Sequence, residues 1–180
     1  MVRRFFLPSL FFAFVALSSP MSHAQVRAPT QDTVKQLNRD ELVKATVEAK
    51  AAFEKATDPK GKPSDKSEDW KRVLKLVDPV LATLDKMDKD DPGFDKQRFK
   101  DPLWWQTKAT KETKGDAQPG FDRYLALFGK ELSLRDLTIV LREQYFFLVE
   151  TAPPDPGPAR TQRHRDAVTV IESALKVNQQ

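Results

Sequence analysis

The sequence predicts an all-α protein, a single bundle of five or six helices after a cleaved N-terminal signal peptide. Three observations carry this. Apolar residues recur every three or four positions through most of the chain, the spacing that lines one face of a helix. Only 6 glycines occur in 180 residues, and alternating apolar and polar runs are absent, which counts against a sheet. Capping residues stand at the starts of the periodic segments, and proline or glycine stands near their ends.

Residues 1–24 have the three parts of a secretory signal. Arg3 and Arg4 form a charged start, Phe5 to Leu17 is mostly apolar, and Ser22-His23-Ala24 places small residues at the first and third cleavage-site positions. The apolar run is shorter than the roughly 18 residues a membrane span needs, and no later segment is apolar enough to span. Arg3-Arg4-Phe5-Phe6-Leu7 resembles a twin-arginine export signal in part. Val2 stands where Ser or Thr is usual, and Pro8 where Lys is common. General secretion is therefore the expected route, to the periplasm or the exterior. Residues 25–37 read as a flexible lead-in and 38–180 as the helical domain.

Asn38 caps the first helix, and Glu41 stands three residues on to reach back, a capping box. Leu42, Ala45, Ala49, Ala52, Phe53 and Ala56 follow as one stripe. Asp58 to Pro63 is a linker by composition. Ser64 or Ser67 starts the second helix, with Trp70, Val73, Leu74, Val77, Leu81 and Leu84 on one face. Pro79 lies inside this pattern and predicts a kink, or a restart with Asp78 as cap. Residues 88–102 read as loop, Leu103 to Lys114 as a short helix, and Gly115 to Gly120 as a turn. A further short helix through Phe121, Tyr124, Leu125 and Phe128 ends at Gly129. Ser133 and Asp136 open the next one. It carries apolar residues all round, so it is expected to be central and buried. Residues 138–149 also have strand-like composition. Thr151 to Pro158 is a proline-rich loop, and residues 160–177 form the last helix.

Composition excludes several chemistries. The chain has no cysteine and 2 histidines, of which His23 lies in the signal. Lipid attachment, c-type haem, iron–sulfur clusters, thiol catalysis and cysteine-ligated zinc are ruled out. With His164 alone remaining, two-histidine zinc sites are ruled out within one chain. A serine triad would have to use His164, and no Gly-x-Ser-x-Gly turn accompanies it. Asp88 to Gly93 superficially fits a calcium loop. Pro92 and Phe99 then fall at ligand positions they cannot fill. No cofactor and no metal are expected. The 30 basic against 26 acidic side chains leave a small net charge, and no nucleic-acid partner is expected.

Two segments are candidates for binding. Residues 96–114 mix six cations, among them Lys108 and Lys111, with Phe99, Trp104 and Trp105. Aromatic faces stack on sugars, and lysines meet carboxylate or phosphate. Adjacent helical residues point about 100° apart, so one tryptophan is expected inside and the other at the surface. Arg160, Arg163 and His164 crowd the start of the last helix at spacings that share a face. Cations are the wrong sign there, so they must be compensated or hold an anion. A helix starting later, near Asp166, removes the anomaly. For catalysis only carboxylates are plentiful. Glu143 and Glu150 flank the most apolar helix, where burial raises a carboxyl pKa. Glu172-Ser173 resembles the Glu-Ser pair of some lytic transglycosylases but lacks the surrounding motif.

The expected function is binding without catalysis. Its partner would be an envelope protein, or an anionic glycan or lipid headgroup. A small carboxylate-dependent hydrolase of cell-wall glycan and an envelope scaffold or assembly protein are the alternatives.

Overall fold

The computed structural model describes residues 36–61 and 63–177, all within one contact unit, Thr33–Gln180. The expected signal and cleavage site, and the lead-in through residue 35, lie outside them. Among the described residues the protein is all-α, with helices α1 (Arg39–Thr57), α2 (Pro63–Asp90), α3 (Lys100–Glu112), α4 (Gln118–Phe128), α5 (Leu134–Glu150) and α6 (Pro158–Val177). A 3₁₀ turn, Lys96–Phe99, precedes α3. None of these helices is long and apolar enough to cross a membrane. The strand-like stretch 138–149 is helical, and Val140, Leu141, Gln144, Phe147 and Leu148 form its buried face.

The capping box of α1 forms as the sequence predicts. The Glu41 amide donates to Asn38 Oδ1 at 2.9 Å, and the Asn38 amide donates to Glu41 Oε2 at 3.0 Å. Ala49, Ala52 and Ala56 are buried where α1 lies along α2, small side chains that let the two helices approach closely. Phe53 meets Trp70 edge-on at 5.7 Å and Trp105 at 6.0 Å, joining α1, α2 and α3. The Leu37 amide donates to Thr83 Oγ1 at 3.1 Å, which ties the start of the described chain to α2.

Several sequence expectations are corrected. The second helix starts at Pro63, ahead of Ser64 and Ser67, because proline is preorganised for a first helical position. It does not restart at Asp78 but runs through Pro79. The lost hydrogen bond concerns the carbonyl of Lys75, an exposed residue, so water can replace the missing donor. Residues 88–102 are not one loop. Asp88 to Asp90 form the last turn of α2, and α3 begins at Lys100 with Pro102 in its first turn, where no donor is missed. Likewise α4 starts at Gln118, with Pro119 in its first turn, and α6 starts at Pro158.

The turn between α3 and α4 satisfies its carbonyls without the usual glycine. Lys114 takes a left-handed backbone, φ 64°. The Lys114 amide donates to the Lys111 carbonyl at 3.0 Å, and the Gly115 amide to the Thr110 carbonyl at 2.8 Å. Glycine is needed elsewhere. A Cβ on Gly120 would collide with the Thr107 hydroxyl, so its absence sets how closely α4 approaches α3. Arg123 on α4 pairs with Asp85 on α2 and covers the Phe99 ring at 4.8 Å.

The expectation that the apolar helix α5 is central is overturned. The central helix is α3, which packs on α1, α2, the 3₁₀ turn and α4. α5 packs on α6 and contacts α4, while Leu134, Phe146 and Val149 stay exposed. Its apolar residues exceed the face its neighbours cover.

Candidate interaction surface

The 96–114 segment does not present its tryptophans and lysines as one open surface. Trp105 is in the core at 7% exposure. Trp104, next in sequence and rotated by one helical step, is half-buried against Tyr124 at 5.4 Å and Phe121 at 6.4 Å. It lines a cavity of about 210 Å³ with Lys100, Tyr124, Asp136, Ile139 and Val140. Burial there, together with the charges of Asp101 and Asp136, pushes the Tyr124 phenol up to about 12.

Lys108 and Lys111 turn toward α5. Both donate to Glu143 Oε2, at 2.7 and 2.9 Å, and all three side chains are less than one-fifth exposed. Lys108 also lies 3.7 Å from Glu112. Glu143 is thus not a raised-pKa acid. Burial pushes its carboxyl up, but the hydrogen bonds and charges of the two lysines outweigh it and hold the carboxyl below its ordinary range. The group fastens α3 to α5 as an ion-pair cluster.

α6 begins at Pro158, so a later start near Asp166 is excluded; Arg160 lies in its first turn, which holds no acidic residue, and Arg163 and His164 lie in the second. The three residues expected to share a face divide. Arg160 donates through Nη1 to the Pro154 carbonyl at 2.7 Å and through Nε to His164 Nε2 at 3.4 Å. The Pro154 carbonyl supplies compensation for the misplaced charge. Arg163 instead lies over the Phe147 ring of α5, 5.7 Å from its centre, and lines a groove with Thr151, Pro153, Gln162 and Asp166. Arg160 and His164 remain exposed. The adjacent end of α5 adds exposed Phe146, Val149 and Glu150.

Sequence reasoning missed one feature. It ran the last helix through Ala167, Val168, Ile171, Ala174 and Leu175 without separating inward from outward positions. In the structure Ala167 is buried and Val170 half-buried against the core, while Val168, Ile171 and Leu175 are 52%, 40% and 55% exposed. The seven-residue spacing of Val168 and Leu175 was the available signal. Among the described residues, no group of three or more His, Asp or Glu is placed to hold a metal ion.

The chain matches no protein-family model, no curated protein and no solved structure.

Proposed function

We propose that the protein is an exported, periplasmic or secreted, non-enzymatic helical protein. It binds a partner protein or an anionic cell-envelope component through a basic and aromatic surface at the turn end of the α5–α6 hairpin. The export element rests on the composition of residues 1–24. The observation that carries the binding element is the cluster of cations at the start of α6, exposed Arg160 and Arg163 over the Phe147 ring, with Phe146 and Val149 exposed near the end of α5. Aromatic and arginine side chains contribute most per residue when a partner excludes water from them. The carboxylate-hydrolase alternative loses its best acid, because Glu143 is held ionised between two lysines. The scaffold alternative gains support from the exposed row Val168, Ile171 and Leu175.

The test is capture of partners from an envelope extract at low and high salt, with the wild-type protein and with Arg160→Glu/Arg163→Glu. One component should be retained at low salt, released at about 1 M salt where screening acts within a few ångströms, and lost in the variant. Capture indifferent to both salt and charge reversal, or glycan cleavage with no retained component, would overturn the reading.

A further inference from the structure

The exposed row on α6 has a repeat and a charge arrangement of its own. Thr161, His164, Val168, Ile171 and Leu175 are spaced three, four, three and four residues apart. This matches the a and d spacing of a two-stranded coiled coil, with Val168 and Leu175 at a and His164 and Ile171 at d. The row faces outward, since α5 covers the neighbouring Ala167 and Val170 side of α6. Arg165 and Glu172, seven residues apart, flank the seam on one side at the two e positions, and both are exposed. Neither is paired within the chain among the described residues.

We infer that this seam pairs with the α6 seam of a second copy of the chain, antiparallel about a two-fold axis between Val168 and Ile171. In that arrangement each flanking row meets the same row of the other helix running the opposite way. Val168 faces Ile171 of the second copy, and Ile171 faces its Val168. Arg165 approaches Glu172 of the second copy, and Glu172 its Arg165, so one patch supplies both halves of two ion pairs. A two-fold interface requires this self-complementarity. A parallel pair would set the e row against the g row, where Ala167 offers no charge. Self-association goes beyond the partner binding proposed above and holds or fails separately from it.

Charge reversal on the purified protein tests the pairing by sedimentation equilibrium. The wild type is expected to dimerise. Arg165→Glu alone sets acids against acids, Glu172→Arg alone sets arginines against arginines, and each should weaken self-association by about tenfold or more. An equimolar mixture of the two variants restores both ion pairs and should form a heterodimer of near wild-type affinity. This rescue cannot arise from misfolded chains. A wild type that stays monomeric to about 100 μM, single variants that associate as the wild type does, or a mixture that fails to pair would each overturn the inference. Loss of the extract capture with dimerisation intact would refute only the proposed function. Capture intact with a monomeric protein would refute only the seam.

Discussion

Helices α1 to α4 and the hairpin α5–α6 use their apolar residues differently. In the first region the apolar faces are consumed by neighbours. Trp70, Val73, Val77 and Leu84 of α2, Leu103 and Trp105 of α3, and Phe121 and Phe128 of α4 are all buried. In the second, Leu134, Phe146, Val149, Val168, Ile171 and Leu175 remain exposed, whereas α1 to α4 expose only Val43 and Val47 among their described large hydrophobics. Packing thus accounts for the sequence of one region and leaves a surplus in the other. A surplus of exposed apolar side chains beside cations is what an interaction surface requires.

The largest effect should separate the two regions directly. Phe121→Ala removes a ring with no exposed area and should cost about 3–5 kcal/mol in chemical denaturation, whereas Phe146→Ala should change stability by no more than about 0.5 kcal/mol. Equal costs would erase the distinction.

The join between the regions comes next. Glu143→Gln leaves Lys111 without its anion and Lys108 with only Glu112 at 3.7 Å, in a poorly hydrated site, and should cost about 1.5–3 kcal/mol. Its pH dependence has a definite sign. The folded carboxyl titrates below the ordinary value of 4.5, so its contribution is complete above that value and is lost as pH falls through the lower folded value. The stability gap between wild type and Glu143→Gln should be flat near neutrality and close in acid. A gap that widens in acid would contradict the ion-pair assignment.

Two smaller changes probe the packed region. Gly120→Ala forces α4 away from Thr107 and should cost about 1–3 kcal/mol, read from the denaturation midpoint. Lys114→Gly relieves a left-handed backbone and should raise stability by about 1 kcal/mol, visible as a higher thermal midpoint.

Much of the fold could be read from the sequence because its signals are local. The Asn38–Glu41 box, the Ser133 cap of α5 and the three-to-four-residue periodicity depend only on near neighbours in the chain. Boundaries at Pro63, Pro79, Pro102 and Pro158 were less legible, since proline both ends helices and begins them. The candidate site was only partly legible. Arg160 and His164 meet as their spacing suggests, but nothing local indicates that Lys108 and Lys111 face a glutamate more than thirty residues away. Nor does periodicity reveal which part of a broad apolar face a neighbour covers. That is decided by tertiary packing, and it is why α5 appeared central and the outward row of α6 went unread.

The central claim is that the surplus apolar residues of α5–α6 serve association and not folding. Ile171→Asp tests it in one sample, with the denaturation midpoint and the sedimentation-equilibrium association constant measured together. The predicted result is stability within about 0.5 kcal/mol of wild type and association weakened by about tenfold or more. A large loss of stability with association unchanged would contradict the account.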